Sequence, residues 1–291
     1  DGNTAAGNGG AIYTSGNMTI TDSNFGATTT NKLNDGTLND IYLAGSANVI
    51  FNVTKDEKSI NSGIAGVNGT KFIKDGSGTL NLSGVNNNMF GEFEIKNGKV
   101  VYNQQKDTVA SFVSGAVNLS TSSSVLEMNI DDTLSSSMQN LKGKGNVIKD
   151  GQGLLVLSGD NSGFEGNLNI TNGKVLFDGT NYISGNTELS SNAILEYYTA
   201  ENQNLSLDNV LDSGTINKTG SGVLNFDRDK DFAGKIISDD GGILNVNDTT
   251  GADTPLVMSA NNGSTINYQT ISNYTIDSST ISFVGSGNTV N

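Results

Sequence analysis

The sequence has no cysteine, no histidine and no tryptophan among its 291 residues, and only one proline. Its single arginine is Arg228. Without histidine, Ser-His-Asp and Cys-His catalysis and histidine-ligated metal chemistry are excluded. Without cysteine there is no thiolate zinc site, iron–sulfur cluster, redox pair or disulfide. That absence fits a reducing cytosol or an export route that disfavours disulfides, and does not choose between them. One arginine leaves little for phosphate forks or base reading. Basic residues are also scarce: Lys plus Arg is 16 against 30 Asp plus Glu, a formal net charge of −14. Such a surface repels nucleic acid and anionic lipid. No apolar run approaches the ~18 residues of a membrane-spanning helix.

Uncharged polar residues fill the gap. Charged residues are 16% of the chain, where ordinary domains carry about 25%. Asn, Ser, Thr and Gly together make up roughly half of it. These are poor helix formers and good turn formers, so short strands joined by many polar turns are expected.

A repeat organises the chain. Lys74-Asp75-Gly76-Ser77-Gly78-Thr79-Leu80-Asn81-Leu82-Ser83-Gly84 returns further on as Lys149-Asp150-Gly151-Gln152-Gly153-Leu154-Leu155-Val156-Leu157-Ser158-Gly159. The match runs on at the same offset, without a gap, to Lys99-Val100 and Lys174-Val175. A looser copy holds Lys218, Gly220, Gly222, Leu224 and Phe226. A second motif, Leu119 to Glu127, recurs as Leu189 to Glu196 and keeps step with the first. The units are read as 41–115, 116–186 and 187–250. N-terminal rungs 1–40 precede them, and 251–291 begins a further, truncated unit. The whole of 1–291 is then one continuous segment cut from a longer solenoid.

Inside a unit, apolar alternation comes in short pieces, such as Leu80/Leu82 and Phe93/Ile95. Two or three rungs of roughly 20–30 residues per unit match a parallel β-helix, in which neighbouring rungs pair at ~4.8 Å. Roughly 10–14 rungs are expected, a rod of about 50–70 Å. A narrow interior needs few apolar residues per rung. Asn97-Gly98 and Asn172-Gly173 also satisfy type I′ hairpin turns, which leaves antiparallel sandwiches or propellers as the competing architecture.

The run from Lys74 to Gly84, with Asn86 and Phe90-Gly91, and its counterpart from Lys149 to Gly166, resemble the autotransporter-associated β-strand repeat of Gram-negative surface proteins. Gly9-Gly10-Ala11-Ile12-Tyr13 and Ser23-Asn24-Phe25 resemble the GGAI and FxxN repeats of polymorphic outer-membrane proteins. The resemblance implies an all-β, right-handed, single-stranded parallel β-helix displayed outside the cell by an outer-membrane barrel beyond this segment.

Individual residues offer few sites. Asp227, Asp229 and Asp231 alternate along a charged run and could face Ca²⁺. The Gly and Glu of an EF-hand loop are replaced by Phe232 and Ser238, so a solvated turn is the plainer reading. Asp131-Asp132 and Asp239-Asp240 are adjacent, which points their side chains apart in a strand and does not suit a glycosidase pair. Lys74, Lys149 and Lys218 recur, as structural or solvating turn residues do. Tyr197-Tyr198 places one ring outward.

The expectation is therefore a non-enzymatic, secreted or surface-displayed passenger segment with no cofactor. It would act as an adhesin or as a stalk. Its partner would be a host or neighbouring-cell protein or glycan, or another copy of itself, with no nucleic acid and no membrane insertion of this segment. The alternatives are self-association of rods and a carbohydrate-active β-helix enzyme using Asp carboxylates.

Overall fold

Short strands joined by polar turns wind the chain into coils of three sides. The computed structural model describes residues 2–26, 28–83, 86, 88–104, 111–251, 255–272 and 279–291. Among these are 31 strands and no helix. Every strand pairs in parallel with strands of the neighbouring coils, building an all-β solenoid of about 11 turns. Gly84 of the repeat motif lies outside the described residues.

Three faces follow one another along the chain. The first carries Ile12–Thr14, Ile41–Leu43 and Ile64–Gly66, and continues through Leu154–Asp160 to Ile281–Val284. The second carries Met18–Thr21, Asn48–Asn52, Lys71–Asp75 and Glu92–Ile95. The third is an eight-stranded ladder from Glu57–Ile60 to Val210–Asp212. Two long strands, Ser111–Leu119 and Ser135–Gly143, bend round a corner and join the first two faces into one 13-stranded sheet. Register shifts in their pairing mark the bend, where a bulge lets a strand turn without losing its ladder. Beyond it, a five-stranded ladder from Asn204–Leu207 to Thr289–Val290 fills the sector between the first and third faces.

The Asn-Gly pairs are corners, not hairpins. Glu92–Ile95 and Lys99–Asn103 flank Asn97-Gly98, yet each pairs with the coils above and below and not with the other. Gly98 and Gly173 both sit at φ 71°. The left-handed conformation that would close a type I′ turn here turns the chain from one face to the next. Among the described residues the one antiparallel contact is an isolated bridge between Lys32 and Leu38.

Pairing register shows how the sequence repeat sits on the coil. Lys74 pairs with Ile95, Ile95 with Leu119 and Leu119 with Gly143, three turns later. Lys149 then falls on the following strand, Asn146–Asp150, on the third face. From Lys149 the ladder runs through Ile170 and Leu189 to Asp212, again three turns. Lys218 falls on the next strand, Thr215–Thr219, on the first face. A unit is thus three full turns and one further face, slightly more than the two or three rungs expected. Thr79, Lys99, Val125, Asn146 and Asn167 follow one another at intervals of one turn, and those intervals are unequal.

Alternation inside each strand supplies the core. Leu80, Leu82, Leu155, Leu157, Leu224 and Phe226 are fully buried, as the repeat predicts. Each such side chain contributes about 1.5–3 kcal/mol. Aromatic rings stack from coil to coil, with centroids 6.0 Å apart for Phe51 and Phe72, 5.2 Å for Phe72 and Phe93, and 5.0 Å for Phe177 and Tyr197. With only a few inward residues needed per turn, a chain that is 34% hydrophobic closes a continuous core.

Candidate interaction surface

The three recurring lysines point inward at corners. Lys74, Lys149 and Lys218 are fully buried. The Lys74 ammonium donates to the carbonyl oxygens of Asp75, Gly76 and Asn97 at 3.0, 2.8 and 2.9 Å. Lys149 does the same to Asp150, Gly151 and Asn172 at 3.0, 2.6 and 3.1 Å. Lys218 donates to Gly220. Each ammonium thereby ties down its own corner, and the first two also reach the corner of the next coil. Burial pushes all three lysines down to about 8, with Asp75, Asp150 and Asp240 respectively opposing the drop. Around the first two, Asn97 donates to Asp75 and Asn172 to Asp150, each at 2.8 Å. The Asn172 amide, followed by the Gly151 N–H, holds the Asp150 carboxyl below its ordinary range. Lys74 and Lys149 spend all three donors on carbonyls and leave none for a ligand. All three lysines are structural, and their burial removes the solvating part of the expected role.

An outward column of amides runs down the five-stranded ladder. Asn225 donates to Asn204 at 2.6 Å, Asn245 to Asn225 at 2.8 Å, Asn267 to Asn245 at 2.8 Å and Asn291 to Asn267 at 2.8 Å. Further along each strand, on the same side, lies a second row, Asp227, Asn247 and Gln269, in register. Asn247 donates to Asp227 at 3.0 Å. A shallow trough of about 580 Å³ lies over the two rows. Its surface is a repeating array of amide donors and acceptors, spaced by one coil. This column occupies the face of a strand, whereas the Asn97–Asp75 and Asn172–Asp150 bonds join successive coils at corners. The signal was present as Asn225, Asn245 and Asn267, recurring at the length of one turn.

Catalytic geometry is not assembled there. Among the described residues Asp227 is the one carboxylate side chain lining the trough, and a glycosidase needs a facing pair. Asp131 and Asp132 are exposed at a turn, where Asp132 accepts from the Thr133 N–H. Asp239 accepts from the Asp240 N–H and from Asn262, at 2.8 and 2.7 Å. Asp227, Asp229 and Asp231 do not converge: Asp227 serves Asn247, and Asp229 accepts from the Asp231 N–H at 2.9 Å. Among the described residues no three His, Cys, Asp or Glu side chains are grouped to hold a metal ion.

The charged run hides a different feature. Arg228 points inward from it and pairs with Asp248 at 2.6 Å, both side chains essentially buried. Its Nε donates to the Phe232 carbonyl at 3.0 Å, and the Tyr268 hydroxyl donates to Asp248. The run is therefore a solvated turn on one side and an anchored core pair on the other. Adjacent charges alone gave no sign of a partner one coil away. Tyr197 is buried and Tyr198 exposed, as strand alternation requires. No helix among the described residues is long and apolar enough to cross a membrane, which says nothing of strands in a barrel.

Comparison with known proteins agrees with the repeat. The family model described as passenger-associated-transport-repeat matches residues 72–101 and 147–177. Those are the two regions that begin within the Lys71–Asp75 and Asn146–Asp150 strands and contain the Gly-x-Gly runs. No curated protein and no solved structure is matched by the chain. The chain carries two passenger-associated-transport repeats within a parallel β-solenoid, and both features agree with an autotransporter passenger built of β repeats.

Proposed function

We propose that this chain is a non-enzymatic passenger segment of a surface-displayed, autotransporter-like bacterial protein. It holds a binding part away from the membrane or itself contacts host or neighbouring cells. The single observation that supports this most is the pair of passenger repeats set in uninterrupted parallel ladders. About 11 turns at ~4.8 Å each make a rod of roughly 50 Å. Adhesion would act through the amide trough and its neighbours. Each contact is weak, and many identical contacts on a rod displayed in many copies raise the avidity. The outer-membrane barrel that such display requires would lie outside this chain.

Self-association is the second reading, and the same amide column favours it, since two polar rods could align along their ladders. A carbohydrate-active enzyme finds less support, because among the described residues Asp227 stands in the trough without a second carboxylate side chain. The test is protease shaving of intact cells producing the full-length protein. Loss of this segment from the cell surface while a periplasmic marker stays intact is the expected result. Protection of the segment until the outer membrane is opened would contradict display.

A further inference from the structure

We propose that a notch on the first face near the N-terminal end binds one ring of a neutral glycan. Tyr13 and Tyr42 project outward from successive coils and stack with centroids 5.7 Å apart and planes 7° from parallel. One face of the Tyr42 ring is covered by Tyr13. The next residue in this register is Ala65, where a third aromatic ring would continue the column. The small side chain leaves an open cleft of about 270 Å³ beneath Tyr42.

The walls have two chemistries. Tyr42, Leu33, Val67 and Phe90 are apolar, and Val67 and Phe90 stand exposed. Backbone pairing brings Phe90 beside the strand that carries Ala65, its N–H donating to Gly66 at 2.8 Å. Thr37, Asn39 and Asn88 supply hydroxyl and amide groups. Leu33 and Thr37 belong to a small hairpin closed by the Lys32–Leu38 bridge, which forms the outer wall. Among the described residues, no charged side chain lines the cleft.

Asn39 adds a second, independent feature to the cleft. It is only 6% exposed, and its Oδ1 meets no hydrogen-bond donor. A buried acceptor left unpaired is unfavourable, and rotation of the amide towards the cleft would let a ligand hydroxyl satisfy it. An aromatic face beside amides and a hydroxyl, with no charge, fits a pyranose ring. Its C–H face packs on Tyr42 while its hydroxyls take Asn39, Asn88 and Thr37. The chain's net charge of −14 disfavours acidic sugars.

This inference adds a ligand class to the adhesin reading and rests on that reading only for its biological role. The experiment is ligand-observed saturation-transfer NMR on the chain 1–291 with methyl glucoside, methyl galactoside, methyl mannoside and their neutral disaccharides. At least one is expected to bind, with the largest transfer at ring C–H protons. Tyr42→Ala should weaken it about tenfold, the order of one lost aromatic contact. Asn88 is exposed, so Asn88→Ala leaves the fold intact and should weaken binding several-fold. Glu201→Ala, at an exposed turn outside both the notch and the trough, should leave it unchanged. No transfer from any sugar at tens of millimolar would overturn the proposal, as would binding that survives both notch variants or falls with Glu201→Ala. Surface shaving scores display separately, so a segment that is displayed yet binds no sugar sinks only the notch.

Discussion

Lys74 and Lys149 make the same three carbonyl contacts on different faces of the solenoid. Lys74 lies near the end of a second-face strand and Lys149 near the end of a third-face strand, three turns plus one face further on. A repeat of this length distributes its corners around the rod. No single side of the solenoid then carries all the lysine corners, and each side is strengthened in turn.

Lys149→Met keeps the aliphatic stem and removes the ammonium. Three carbonyl acceptors lose their donor, which outweighs relief of the desolvation cost of a buried charge. A loss of about 1–2 kcal/mol in urea unfolding is expected. An unchanged midpoint would show that water replaces the ammonium at no cost.

Stability should depend on pH above neutrality. The three lysines titrate at about 8 in the folded chain, against an ordinary value of 10.5. Between those values the unfolded chain binds more protons, so stability rises with pH through this window. Below about pH 8 both states are protonated and the full cost of burying the charges is present. Above pH 10 the trend reverses, because burial raises the Tyr182 and Tyr197 hydroxyls and their ionisation favours unfolding. Thermal melts from about pH 7.5 to pH 10 should show the rise, and Lys149→Met, which removes one of the three lysines, should lower its slope by about a third. A falling melting temperature across this range would refute the assignment.

Gly98→Ala and Gly173→Ala should both destabilise. A Cβ at Gly98 would lie 2.5 Å from the Gly76 oxygen and 2.9 Å from the Lys74 ammonium, and one at Gly173 would lie 2.5 Å from the Gly151 oxygen. Both residues also need positive φ. Losses above about 1 kcal/mol are expected for each. Equal stability to the parent would mean that the corners relax freely.

Breaking the Arg228–Asp248 pair on one side leaves a buried charge alone. Arg228→Met should cost about 3–5 kcal/mol, whereas Asp229→Ala, on the solvated side of the same run, should cost little. Calcium should raise the melting temperature of neither protein. A calcium-dependent shift in the parent that Asp229→Ala abolishes would restore the metal reading.

Much of this was legible in the sequence, for reasons that differ by element. The Leu80/Leu82 and Leu155/Leu157 alternation named the inward side of each strand, because a period of two is local. Gly76 and Gly151 marked corners for the same reason. The hairpin reading of Asn97-Gly98 failed because a left-handed residue fixes the bend of the chain and says nothing about the pairing partner. The Arg228–Asp248 pair and the Tyr42–Ala65 notch depend on residues one coil apart, and turns of unequal length hide that spacing from any fixed window. The amide column was written in the sequence as well, but only register shows that Asn225, Asn245 and Asn267 share one outward line.

The most direct test is sedimentation velocity of the chain 1–291 across protein concentration and salt. One extended species of 30.3 kDa is expected, with a frictional ratio set by a rod of roughly 50 Å. Reversible side-by-side assembly that grows with concentration would contradict a solitary stalk or adhesin and move the function to the self-associating amide column.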